Sequence, residues 1–148
     1  MIFITSSNKN EEKTDRIYLD TFVFMDMLSG QKEAVEKAKK YLQQQAMVSS
    51  IVLAELVFHM VRHGVHRAKK DEIIFYIRSL ENLKIIDVTD EIAEMAGKIR
   101  ARYWKLLEKK LTYFDSIHIA TAIVAGAKKF VTGDKDFRGI KEIEVEVY

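Results

Sequence analysis

The chain of 148 residues contains neither cysteine nor proline. Without cysteine there are no disulfides, no thiolate zinc sites and no cysteine nucleophile, and the composition suits a reducing compartment. At a usual frequency of about 5%, roughly seven prolines would be expected, and that gap has no functional reading. No apolar run approaches the ~20 residues that span a bilayer. The opening Met1-Ile-Phe-Ile-Thr-Ser-Ser7 lacks the basic flank and apolar core of a signal peptide. The expectation is a cytoplasmic protein without membrane association. An excess of one charge is also lacking: 24 basic residues face 22 acidic ones, for a net charge of +2. That balance does not announce a nucleic-acid binder, so the distribution of charge has to decide.

What is present is a chain that is 48% hydrophobic, enough for a full core without covalent staples. Its length fits one domain. Residues 1–15 end in the polar run Ser6–Asp15 and read as a flexible N-terminal extension, leaving 16–148 as a single domain. Short apolar runs at Arg16–Asp20, Ala46–Ser49, Lys84–Val88, Lys129–Thr132 and Glu142–Val147 read as strands. Between them lie helical patterns. These are Thr21–Leu28, Gln31–Gln45, Ile51–His63 with Ser50 as cap and Gly64 as stop, Lys69–Leu80, Thr89 or Asp90 to about Lys109, and Tyr113–Ala125. This alternation indicates an α/β domain with a mainly parallel sheet. Such sheets carry their sites outside the carboxyl ends of the strands.

Several carboxylates stand where carboxylates are expensive. Asp20 ends a strand and precedes the apolar Thr21-Phe-Val-Phe-Met25. Glu55 lies inside Ile51-Val-Leu-Ala-Glu-Leu-Val-Phe58, where a lone charge is costly unless paired or bound to metal. Asp115 lies in Leu111-Thr-Tyr-Phe-Asp-Ser-Ile-His-Ile-Ala120, and Asp134 and Asp136 follow a strand in Phe130-Val-Thr-Gly-Asp-Lys-Asp-Phe137. Each has an ordinary alternative. Asp20 could cap a helix, Glu55 could sit on an open stripe, Thr112 and Asp115 have capping-box spacing, and Gly133-Asp134 could be a turn. The joint pattern weakens these alternatives. Two acids follow strands directly, and Glu55 and Asp115 are expected in the first turns of helices. A parallel sheet can bring all four to one end, where clustered carboxylates select Mg²⁺ or Mn²⁺.

Together these segments resemble the PIN domain family, including the VapC-like toxin ribonucleases of toxin–antitoxin pairs. Ile17-Tyr-Leu-Asp-Thr-Phe-Val-Phe-Met-Asp26 resembles the family's opening strand and Asp-Thr. Ser49-Ser-Ile-Val-Leu-Ala-Glu-Leu56 resembles its second motif. Tyr113-Phe-Asp-Ser-Ile-His-Ile-Ala-Thr-Ala122 and Gly126-Ala-Lys-Lys-Phe-Val-Thr-Gly-Asp-Lys-Asp-Phe137 resemble its third and fourth. The resemblance implies a three-layer α/β/α sandwich with a mainly parallel, about five-stranded sheet. It also implies a divalent metal and endonuclease activity, usually on RNA. By position, Asp20 and Asp115 would be the main metal ligands, Asp134 would complete the set, and Glu55 would bind metal or orient water. Asp136 would assist, and Thr132 would support the pocket by hydrogen bonds. A small antitoxin protein and a homodimer are the partners it implies. Phe22 departs from the family, which usually carries Asn or another small polar residue after the Asp-Thr.

Other readings belong beside this one. Lys98, Arg100, Arg102, Lys105, Lys109 and Lys110 crowd the stretch before Asp115, with Tyr103 and Trp104 among them. They form either a basic approach with stacking aromatics or a solvated face with both rings turned inward. Glu55, His59 and His63 share helical spacing that could hold zinc, with His66 beyond Gly64. His118 reads as a helix-face histidine. A catalytically weak RNA- or partner-binding module of the same fold is the alternative function. A response-regulator-like domain lacks a well-placed lysine and leaves Glu55 unexplained. The stretch Phe22–Leu28 with the helices Gln31–Gln45 and Ile51–His63 could form a dimer or antitoxin surface.

Overall fold

A computed structural model describes residues 13–104 and 111–148. Five strands form one sheet in the order β3-β2-β1-β4-β5. They are β1 (Ile17–Leu19), β2 (Ala46–Ser49), β3 (Leu83–Ile86), β4 (Phe130–Thr132) and β5 (Val145–Val147), and every adjacent pair is parallel. Six α-helices accompany them among the described residues: α1 (Thr21–Leu28), α2 (Lys32–Leu42), α3 (Ile51–Arg62), α4 (Arg67–Ser79), α5 (Asp90–Tyr103) and α6 (Tyr113–Val124).

The strands alternate between two cores, as a doubly covered sheet requires. Ile17, Leu19, Ala46, Val48 and Val131 face the core shared with α1–α4. Tyr18, Met47 and Phe130 face the other, with α5 and α6. The chain crosses from β1 to β2 to β3 in one direction, then returns past β1 to β4 and β5. Right-handed crossovers put the helices of opposite winding directions on opposite faces. The result is the expected α/β/α sandwich.

Helix ends follow local chemistry. Gly64 and Gly126 take positive φ, 67° and 72°, just beyond α3 and α6. In each, two backbone N–H groups close back on the last turn: Gly64 to Val61 and Val65 to Met60, Gly126 to Ile123 and Ala127 to Ala122. Ser50, expected as a cap, is already helical and makes no side-chain cap bond. Ser49 Oγ accepts from Ile51 N at 3.3 Å instead. Glu55, expected in a first turn, is the fifth residue of α3 and lies in its second. Helix α5 ends at Tyr103, and its expected continuation to Lys109 lies outside the described residues, as do residues 1–12 of the expected extension. Thr14, within that extension, donates its backbone N–H to Gly126 O at 2.7 Å. Among the described residues no helix is long and apolar enough to cross a membrane.

Candidate active site

The winding direction reverses between β1 and β4, so their carboxyl ends open the crevice where open parallel sheets place ligands. Asp20 stands there, directly after β1, and is only 6% exposed. Its extended backbone lets it cap α1, Oδ1 accepting from Thr21 N at 2.9 Å. Thr132, the last residue of the adjacent β4, donates from Oγ1 to Asp20 Oδ2 at 2.8 Å. Burial pushes the Asp20 carboxyl above its ordinary value, against the pull of His118 and Thr132, and the charges of Glu55 and Asp115 push it further.

The second group lies on α6, where the sequence pattern predicts a helix-face histidine. His118 is fully buried. Its Nδ1 meets Tyr18 Oη, and its Nε2 lies 2.5 Å from Glu55 Oε1, 3.0 Å from Thr21 Oγ1 and 3.9 Å from Asp20 Oδ1. Thr21 Oγ1 also donates to Glu55 Oε1 at 2.8 Å. Burial alone would lower the histidine. The Glu55 hydrogen bond, with the charges of Asp20, Glu55 and Asp115, more than offsets it and holds the imidazole above its usual pKa. Burial likewise drives the Tyr18 hydroxyl far up. The sequence holds only a weak signal: after Asp115, α6 carries no Lys, Arg, Asp or Glu, so a histidine inside it is a candidate for burial.

Asp115 occupies the third position of α6, and the capping box is real. Thr112 N donates to Asp115 Oδ2 and Asp115 N to Thr112 Oγ1, both at 3.1 Å. Its charge nonetheless reaches Asp20 and His118. Asp134 joins through the backbone, its N–H donating to Thr132 Oγ1 at 3.0 Å. The Asp134 carboxylate caps the 3₁₀ turn Lys135–Gly139 and accepts from Asp136 N at 2.9 Å. Asp136 itself is exposed. Phe22 lays its ring on Gly133, where an added Cβ would fall 2.3 Å from Cδ1 and Cε1.

The site therefore differs from a ring of four acids. Asp20 is central, Asp115 is near enough to act on it by charge, Glu55 is drawn inward by Thr21 and His118, and Asp134 is turned to its cap. Among the described residues no three His, Asp or Glu side chains converge as a metal cage. That also removes support for the Glu55–His59–His63 zinc reading. The His59 and His63 rings lie 4.1 Å apart, while His63 Nδ1 bonds to His59 O at 2.8 Å.

Part of the basic stretch is also committed. Arg102 pairs with Glu142. Arg100 donates to Leu111 O at 3.2 Å and lies over the rings of Trp104 and Tyr113 at 4.7 and 4.1 Å. Tyr103 is buried and Trp104 is exposed, so neither account of the two aromatics holds for both. Lys105, Lys109 and Lys110 lie outside the described residues.

Comparison with known proteins fits this geometry. A model of the PIN domain matches residues 17–143. Among solved structures, a toxin-antitoxin complex from Klebsiella pneumoniae aligns with TM-score 0.66 and 25% identity over 88% of this chain and 96% of that one. VapC20 of Mycobacterium tuberculosis, described as a Sarcin-Ricin loop cleaving toxin, aligns with TM-score 0.67 and 20% identity over 86% and 98%. DNA-bound VapBC from Salmonella typhimurium aligns with TM-score 0.66 and 20% identity over 90% and 98%. Among curated protein sequences none matches significantly. The chain belongs to the PIN domain family, and its fold is that of the VapC-type toxins.

Proposed function

We propose that this chain is a metal-dependent endoribonuclease that hydrolyses RNA phosphodiester bonds, the toxin of a toxin–antitoxin pair. The observation that carries this is Asp20: a carboxylate buried at the switch point of a parallel sheet, pushed up by burial and by the charges of Glu55 and Asp115. Such a group is held at a stability cost that a bound hard cation relieves. The donor chemistry fits Mg²⁺ or Mn²⁺, since the acids here are oxygen donors around one raised carboxyl. Asp20 and Asp115 would hold the ion, with Glu55 and Asp134 beside them. When bound, the ion supplies charge neutralisation and an activated water for in-line displacement.

The chain's own residues do the rest. Thr132 and the Thr21 N–H fix both oxygens of Asp20. Thr132 also ties the Asp134 backbone to the same point. Asp134 would join the ion from its place at the head of the 3₁₀ turn, and Asp136 would assist from the same turn.

Partners follow the same reading. Exposed Phe75 and Tyr76 of α4 border a groove of about 490 Å³ against Phe24, Met27 and Leu28 of α1. An antitoxin segment would cover it, as an uncovered apolar groove is unusual on a lone chain. The homodimer is carried by exposed Val57, Phe58 and Val61 of α3. A second reading, a catalytically weak binding module, is favoured by one observation, the Phe22 ring packed on Gly133 beside Asp134.

Both readings meet in one experiment. The purified chain should cleave a panel of structured and single-stranded RNAs with Mn²⁺ or Mg²⁺, and EDTA or Asp115→Asn should abolish cleavage. Cleavage that survives EDTA sinks the metal mechanism. Wild type and Asp115→Asn equally inert on the whole panel would favour the binding module.

A further inference from the structure

The group least explained by the acids is the buried string beneath them. Its hydrogens can be assigned one at a time. Ser49 N–H donates to Tyr18 Oη at 3.0 Å. The phenol keeps its own hydrogen, fully buried, and meets His118 Nδ1. With Nδ1 accepting, the imidazole proton sits on Nε2, where Glu55 Oε1 at 2.5 Å and Thr21 Oγ1 at 3.0 Å face it. Thr21 already donates to Glu55 Oε1, so it offers the histidine a lone pair.

The opposite tautomer fails at both ends. It would leave the Tyr18 hydrogen without its acceptor and set the Nε2 lone pair against a carboxylate. A buried polar group left without its partner is costly, and the observed arrangement avoids it at both ends. The geometry selects the neutral tautomer, with Nδ1 accepting from Tyr18 and the proton on Nε2. These positions are assigned from the hydrogen-bond network.

From this geometry we infer that His118 is a positioning residue. It carries a one-way hydrogen-bond string from the β2 backbone, through Tyr18, to Glu55 Oε1, and so sets how Glu55 stands at the site. The Glu55 side chain is 22% exposed, and two buried donors, His118 Nε2 and Thr21 Oγ1, hold its Oε1. His118, wholly buried, touches no substrate and acts through Glu55. Outer partners of this kind are worth about 10–100-fold in affinity or activity. The inference rests on the nuclease reading for its consequence, but the string itself does not.

Two substitutions separate the ends of the string. His118→Gln places an amide N–H near the Nε2 position and can still donate to Glu55. His118→Asn keeps a polar group near Tyr18 and falls short of Glu55. Both should lose similar stability. At matched folded fraction, His118→Asn should lose about 10–100-fold in kcat with KM for RNA little changed, and His118→Gln should restore a substantial part of that loss. Equal kcat in the two variants overturns the inference.

A second readout needs neither metal nor RNA. ¹⁵N-edited NMR of the wild-type imidazole should show a protonated, slowly exchanging Nε2 that moves in Glu55→Gln and stays put in Asp134→Asn. An unprotonated Nε2 overturns the inference whatever the activity. A wild type inert on RNA that shows this resonance would remove the nuclease reading and support the string.

Discussion

At the scale of single residues, Asp20 is held against its own preference. Its raised pKa means that the folded state disfavours its charge, first through burial. Removing the charge therefore relieves the fold while emptying the site. Asp20→Asn is expected to keep or raise the melting temperature and to abolish RNA cleavage. A clear drop in melting temperature would contradict the desolvation account. The Phe22–Gly133 contact gives a second expectation. A Cβ at Gly133 would meet the Phe22 ring at 2.3 Å, and that ring is 38% exposed, so it can give way. Gly133→Ala should cost about 1 kcal/mol, at the low end of overpacking. In a Phe22→Asn background the cost should vanish, and a double-mutant cycle by urea melts measures the coupling.

At the scale of elements, most strands and helices were legible because their apolar periods are clean and three of the helices, α1, α3 and α6, stop just short of a glycine. Boundaries slipped where a polar residue had two available roles. Ser50 reads as a cap, yet Ser49 accepts the first helical N–H, because Ser50 has already entered the helical region. The acids were legible as residues out of place. The bonds that hold Glu55 were not, since they come from Thr21 and from His118, 63 positions further along the chain. No local pattern encodes that pairing. The clasp on α5 shows the same limit: Glu142 accepts from Tyr103 Oη at 2.6 Å and pairs with Arg102.

That clasp titrates. Burial would raise Glu142, but the Tyr103 and Arg102 hydrogen bonds outweigh it and lower its pKa. A lowered folded pKa contributes stability that is present above the ordinary carboxylate range and is lost as pH falls through the folded value. Wild type should therefore exceed Glu142→Gln in urea midpoint at neutral pH, and the difference should close in strong acid. A gap that persists unchanged to strong acid would remove Glu142 from the clasp.

At the scale of the whole molecule, two cores fill both faces of the sheet, and α3 and α4 carry half of the large apolar residues left exposed among the described ones, Val57, Phe58, Val61, Phe75 and Tyr76. Phe58 and Phe75 are 67% and 72% exposed. Exposed substitutions usually move stability by no more than about 0.5 kcal/mol. Phe58→Lys and Phe75→Lys should thus leave the melting temperature unchanged and shift light scattering toward smaller species. Loss of melting temperature in either would mean that the side chain packs inward.

The bond between Thr132 and Asp20 spans 112 positions of the chain. Its consequence is one of timing. A chain growing from its amino terminus exposes Asp20 early, but the threonine that clamps it, the histidine that turns Glu55 and the strand that completes the crevice all emerge late. Loop closure over such a separation is slow relative to local pairing. A polypeptide that stops short of β4 lacks both Thr132 and the strand beside β1, and so has no completed site. The crevice at Asp20 therefore stays incomplete until β4 has emerged and paired with β1.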